Sequence, residues 1–500
     1  MAIWALSPVG GTLRKLRDDV FGAVPSPDGS RIAFIDRGEV WSMGTGGEDA
    51  RELFAPEKGW SLERIAWSSD GQRLAYMKVR HGYEEVLIES RDLRGGQAII
   101  ITSDPRLRNF CWAPNGDILY ARLENLKEAS ANVWELAVDP STWKPSSEPR
   151  RLTNWAGFTL LDLSAASDGK RVSFVRKTDQ SDVYVGEFQG TGARLRTPFR
   201  LTLDDRMDWP GGWFHDSKAL LFYSDRGGNF DIFKQGIGDR VAEEVVSGPS
   251  EEKRAPQLSP DGKWILYLAW PNTQSDEPPH AGRLMRVPVS GGVPETVLEV
   301  QGYPGSARIP RAIWLPTSRG YPDFRCPSAA ASARPCVLSE VKGDQLLFTA
   351  FDPLEGRRGE LESLEFGPGR QHHSSDSGSF WDLSPDGRRI ALGGCEPHGG
   401  HILILDLDSK EEKEVGVSDW SCFTSLAWSP RGKSLFVTNW ASRGGSILRV
   451  ALNGETLLLH HAVGMEIERP VPSPDGSFLA YGEVTTISNA WMVEPPKSPK

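Results

Sequence analysis

Four times the chain writes Ser-Pro-Asp-Gly and then an apolar run: SPDGSRIAFID from Ser26, SPDGKWILYLA from Ser259, SPDGRRIALGG from Ser384 and SPDGSFLAYGE from Ser473. Other segments repeat the phrase in part. The third positions of the ten turns are Asp28, Asp70, Asn115, Asp168, Asp216, Asp261, Asp344, Asp386, Arg431 and Asp475, mostly 42 to 53 residues apart. Repetition at that period means one supersecondary unit stacked many times over, and it limits the fold to solenoids, propellers and arrays. The turn chemistry says which. Ser at the first position hydrogen-bonds locally, Pro at the second presets φ, and Gly at the fourth leaves through a conformation other residues resist. Candidate structural turns are thus Asp28–Gly29, Asp70–Gly71, Asp168–Gly169, Asp261–Gly262, Asp386–Gly387 and Asp475–Gly476.

One repeat resolves into strands. Leu62–Trp67 reads as a first strand, Ser68–Gly71 as the turn, Arg73–Val79 as a second strand, Glu84–Leu93 as a third and Ala98–Thr102 as a fourth. Four antiparallel strands joined by short turns make a propeller blade. The run after the turn, Ile32–Ile35 or Ile265–Leu268, is apolar on both faces, as suits a strand covered by neighbouring blades. Trp67, Trp112 and Trp428 precede their turns, where a large ring would pack between blades. A helical repeat is excluded, because the apolar runs are short, β-branched or aromatic, and interrupted by Pro and Gly.

The expected fold is therefore all-β: a β-propeller of about ten four-stranded WD40-like blades. One ring usually holds about four to eight blades, so two rings are expected. Counting turns divides them into residues 1–255 and 256–494, with an irregular insertion or decayed blade at 301–337 and a disordered tail at 495–500. The last repeat lacks a fourth strand, while the chain opens with IWAL and TLRKL, the end of a blade without its beginning. Either the N-terminus completes the last blade, or earlier blades are missing from the chain; both alternatives stand.

Composition narrows the function. The net charge is −10, which argues against a non-specific nucleic-acid partner. No run of about 18 apolar residues suggests a membrane span, and the start does not read as a secretory signal. The cysteines, Cys111, Cys326, Cys336, Cys395 and Cys422, are too few for a disulfide scaffold. Cys326 and Cys336 would pair only in an oxidising compartment; two free thiols are the simpler expectation.

The SPDG-x-x-IAF repeats resemble the WD40-like repeats of TolB-type propellers and of the propellers in dipeptidyl peptidase IV-type enzymes, over nearly the whole chain. YSDRGGNFDIF (Tyr223–Phe233) looks TolB-like in particular. The stretch around DFRCPSAAASARPCVLSEVKGDQLLFTAFDPLEG and the ending ISNAWMVE are similar to the sensor propellers of bacterial chimeras that carry an N-terminal winged-helix or serine/threonine kinase domain. That resemblance implies a missing N-terminal domain and a sensor role. The TolB likeness implies a periplasmic or envelope location, which the absence of a signal peptide leaves open.

No motif for chemistry survives inspection. The Gly-x-Ser-x-Gly elbow of a serine hydrolase is absent. Arg431–Ser434 holds a Gly-Lys-Ser, but the earlier Gly of a phosphate loop falls at Ala427. Cys395, His398 and His401, with His372 and His373, are zinc-compatible atoms without two clean ligand pairs, and read as a polar loop. Asp225, Asn229 and Asp231 lack the ligand count of a calcium loop. With Arg226 they form a candidate binding-face loop, since loops carry recognition. No metal and no cofactor is expected. The expected function is a non-catalytic scaffold or sensor recognising a protein or small ligand. The alternative is a propeller hydrolase or lyase with catalytic residues gathered from several blades.

Overall fold

The computed structural model describes residues 2–494 apart from 7–10, 12, 81–84, 125–129, 190–193, 272–280, 302–321, 329–332, 343–344, 366–379, 395–399, 418–419, 421–422 and 442–443. Among the described residues there is no helix, and the strands form antiparallel sheets, most of them four-stranded. The protein is a β-propeller. The repeat at 60–103 has the four strands read from sequence: Trp60–Trp67, Arg73–Arg80, Glu85–Asp92 and Ile99–Ser103, hydrogen-bonded in that order.

Local chemistry accounts for the repeated turn. Ser473 Oγ donates to Asp475 Oδ1 (2.7 Å) and accepts from the Phe478 amide (2.8 Å). Asp475 in turn accepts the Ser477 amide at 2.9 Å. The same bonds recur at Ser26–Asp28, Ser68–Asp70, Ser259–Asp261 and Ser384–Asp386. The serine hydroxyl thus clamps the two strand ends, and the aspartate fixes the hydroxyl. The Ser26 hydroxyl, the strongest influence, helps hold the Asp28 carboxyl down at about 2. Gly29, Gly71, Gly169, Gly262, Gly387 and Gly476 all adopt φ between 65° and 76°, the left-handed region where a Cβ is penalised. Asp344 lies outside the described residues. The strands flanking it, Cys336–Lys342 and Gln345–Asp352, are the second and third of their sheet, so this match is not the turn that follows an inner strand.

The chain separates into two compact units, residues 1–178 with 305–314 and 487–500, and residues 179–304 with 315–486. A division after residue 255, expected from counting turns, falls inside the strand Glu251–Leu258. Turns count blades; they do not say which blades share a ring.

In the first unit, sheets at 20–54, 60–103 and 107–151 follow one another, with a fourth built from Thr159–Ala165 and the start of Val172–Gln189. Arg176 there lies over the Trp491 ring, 5.6 Å away. The N-terminal strands Ala2–Ala5 and Arg14–Asp18 pair only with each other among the described residues.

The second unit is a closed ring of six sheets. Five are continuous in sequence, at 208–246, 251–301, 323–365, 380–417 and 423–463. The sixth takes Glu466–Pro472 and the first half of Phe478–Val493, then adds the second half of Val172–Gln189 and the short strand Phe199–Arg200. Completion of the last blade by the N-terminus, one of the two alternatives, is not found among the described residues. A segment from mid-chain supplies the missing strands, with Phe188 N donating to Ser477 O (2.8 Å) and Tyr184 stacked on Tyr481.

The first strand of each sheet is innermost, and bonds between these strands run round the ring. Gln257 donates to Phe324 O (2.8 Å), Arg325 to Asp382 (3.1 Å), Trp428 N to Asp382 (2.7 Å), Arg469 N to Ser425 Oγ (2.8 Å) and Trp213 Nε1 to Val471 O (2.8 Å). Gly211 packs where a Cβ would lie 2.4 Å from Pro256 O. The tryptophan before the turn does pack between blades, and its indole NH finds the preceding blade's backbone: Trp67 to Val24 O (3.1 Å) and Trp428 to Asp382 O (3.2 Å). Trp112 instead donates to Gly116 O in its own turn (2.9 Å).

Within the stretch expected as an insertion, Asp323–Arg325 is the inner strand of a blade, so the decayed-blade alternative describes these residues. Its exit is not a Ser-Pro-Asp-Gly turn. Cys326 and Cys336, expected as free thiols, form a disulfide that ties the inner strand to the second. Cys336 is fully buried with Leu338, Phe324 and Phe351. Residues 495–500 lie outside the described residues.

Candidate functional site

The sequence-selected loop joins the second and third strands of the 208–246 sheet. Asp225 accepts the Met207 amide at 3.0 Å. Arg226 reaches Asp204 (2.8 Å), Asp208 (3.2 Å) and Ser224 Oγ (2.9 Å), with its guanidinium 4.7 Å from the Phe233 ring centre. Asp231 is buried against Lys253 Nζ at 2.7 Å, and Lys253 also donates to Gly248 O and Glu251 O. Burial pushes the Asp231 carboxyl up while Lys253 opposes it. Asn229 is half-buried in the same turn. Arg226 and Asp231 thus anchor the loop to its own blade and to the next. Of the zinc-compatible residues only His401 is described, 2.6 Å from Glu414; Cys395, His398, His372 and His373 lie outside the described residues. Among the described residues no group of three or more His, Cys, Asp or Glu is placed to hold a metal. Arg431–Ser434 is a blade turn, with Gly432 N on Ser429 O and Ser434 N on Ser429 Oγ.

A second set of charges was not singled out from sequence. It lies on the inner strands of the second unit. Glu252 and Arg254 come from one blade, Asp323 and Arg325 from the next, Asp382 from the third, and Glu468 and Arg469 from the closing blade. Most are paired. Arg254 binds Glu252 at 2.6 Å, and Arg325 binds Asp323 at 2.7 Å and Asp382 at 3.1 Å. Burial pushes Asp382 up to about 6, against the pull of Arg325 and the Trp428 amide. Arg254, Arg469, Asp323 and Glu468 all act electrostatically on the buried Tyr223.

Glu468 differs from the rest. It is 1% exposed, and neither carboxylate oxygen has a hydrogen-bond partner among the described residues. Burial pushes it up to about 8; Arg469 opposes this and Glu466 adds to it. The strand breaks register at this point, between Glu468 and Val471, and Arg469 takes φ 50°. Bulges of this kind re-aim side chains, and strained backbone clusters at functional sites. The signal for these residues was available: EEKRAPQL, DFR, FWDL and EIERPVP each put charge into the strand that becomes innermost.

No family model matches the chain, and no curated relative matches it. Solved structures similar to it include TolB from Agrobacterium tumefaciens (14% identical, TM-score 0.24, covering 59% of this chain and 87% of that one). TolB from Acinetobacter baumannii is 17% identical (TM-score 0.23, 69% and 63% covered). An oligogalacturonate lyase from Vibrio parahaemolyticus is 11% identical (TM-score 0.26, 51% and 76% covered). One of these structures carries an enzyme's name, and at these values no activity passes to this chain.

Proposed function

We propose that the protein is a recognition module whose closed six-sheet ring presents a charged inner lining to a protein or small ligand. One observation carries this reading. Unlike charges from four blades converge on the inner strands, and several already neutralise one another, Arg254 with Glu252 and Arg325 with Asp323 within a strand and Arg325 with Asp382 across a blade boundary. Such pairs stiffen a frame and favour a ligand carrying both signs, such as a peptide, over a single reactive group. The loop with Asp225, Arg226, Asn229 and Asp231 belongs to the same ring and is a candidate rim contact. The TolB-type and sensor-propeller resemblances support a sensor role, and the disulfide supports an oxidising setting.

A second reading, catalysis from the inner strands, rests on Glu468. A carboxyl kept protonated near neutral pH is the state a general acid requires. A thermal-shift screen against peptides, sugars, metals and envelope fragments tests the first reading, because a ligand of the native state stabilises by mass action. A shift with one peptide class, lost in Arg469→Ala, supports recognition. Turnover of a sugar or peptide that Glu468→Gln abolishes supports catalysis and overturns the first reading.

A further inference from the structure

The second unit closes through a seam whose two sides are far apart in sequence, and that seam is crowded with buried carboxyls. Asp182, on the mid-chain strand, is 4% exposed, and Glu483, on the C-terminal strand, is 7% exposed. The two act on each other electrostatically. Asp208, fully buried, opens the adjoining blade. Ser181 Oγ donates to its carbonyl at 2.9 Å, and Ser181 bridges Met207.

The facing groups are few. Arg200 binds Asp182 (2.6 Å) and the Asp204 carbonyl. Gln180 Nε2 lies 3.4 Å from both Asp182 oxygens and donates to the Asp204 carbonyl (2.8 Å). Arg226 spans Asp204 (2.8 Å) and Asp208 (3.2 Å). Ser224 and Thr202 hydrogen-bond Asp208. Tyr184 and Tyr481 lie beside Glu483, and His460 beside Tyr481. Asp225 holds the Met207 amide nearby. Four carboxyls, of Asp182, Asp204, Asp208 and Glu483, therefore meet two guanidiniums.

We propose that this seam is a proton-operated latch: with protons on the Asp182–Glu483–Asp208 group the mid-chain strand is held in the ring, and their loss loosens it. Four carboxyls share two guanidiniums in this buried site, and the excess negative charge is relieved by neutralisation. Burial is the largest influence on all three, taking Asp182 up to about 6 and Asp208 up to about 7, with Glu483 raised as well. The folded seam keeps protons at a pH where the unfolded chain has lost them, so its stability falls as pH rises from the ordinary carboxyl range through neutrality.

Hydrogen–deuterium exchange of the full chain, corrected for intrinsic rates, tests this between about pH 5.5 and about pH 8.5. Peptides covering 179–189 and 478–486 are followed against peptides from 423–463. Seam protection, relative to that reference, is expected to fall at least about tenfold over the range, since each released proton contributes up to tenfold per pH unit. Asp182→Asn with Glu483→Gln should weaken the response, leaving the share carried by Asp208. A constant ratio in the wild type, or an unchanged pH response in the double variant, overturns the latch. Should loss of the Arg200 pair unfold that variant, Glu483→Gln alone keeps the pair; a response identical to wild type then overturns it equally.

Discussion

Reduction of the Cys326–Cys336 bond removes the one disulfide among the described residues. The two residues are ten apart in sequence. Freeing a closed loop of about ten residues returns roughly 9 cal/mol/K to the unfolded chain, or about 2.7 kcal/mol at 25 °C. In a large domain 1 kcal/mol moves the melting temperature by about 2 °C, so the reduced protein should melt about 5 °C lower. Scanning calorimetry with and without reductant measures this. Cys111 does not interfere: burial pushes its thiol up to about 12, and a thiol held protonated is a poor nucleophile. Paired replacement by alanine should cost more than reduction, because Cys336 is fully buried and its loss leaves a void. Oxidised and reduced melts that coincide within about 1 °C would show that the blade's exit is held by packing, and the loop-entropy argument fails.

Ser384→Ala removes the hydroxyl bonded to Asp386 (2.6 Å) and to the Arg389 amide (2.8 Å). It should cost about 1–3 kcal/mol, read as a lower denaturant midpoint at unchanged slope. Glu468→Gln should gain on the wild type by up to about 1.4 kcal/mol per pH unit as pH rises, because the wild-type carboxyl must ionise in a buried site. The gap should level off above the folded value of about 8, and a pH-independent gap refutes the assignment. Gly211→Ala puts a Cβ 2.4 Å from Pro256 O and should destabilise by about 1–3 kcal/mol. Gly238→Ala, with nothing within 4 Å, should stay within about 0.5 kcal/mol of wild type; equally small losses for the two would show that the packing between the 208–246 and 251–301 blades is looser than described.

The sequence by itself determined the blades. The bonds that shape a turn span five residues, from Ser473 Oγ to the Phe478 amide, and every participant is spelled within SPDGSF. Strand order inside a blade followed, because short connections make sequence neighbours pair. The unusual blade was legible only as a gap, since Cys326 and Cys336 have the same letters whether paired or free. Which strands close a ring was decided by the tertiary structure alone. Val172–Gln189 and Phe478–Val493 look like ordinary long strands, and nothing local marks either as the partner of a strand some three hundred residues away. Backbone hydrogen bonding is the same along any edge; the choice of edge rests on side chains such as Tyr184 and Tyr481 meeting once the whole ring is assembled. The inner charges follow the same logic. Glu468 and Arg469 are polar letters in a short strand, and only closure of the ring buries Glu468 without a hydrogen-bond partner among the described residues.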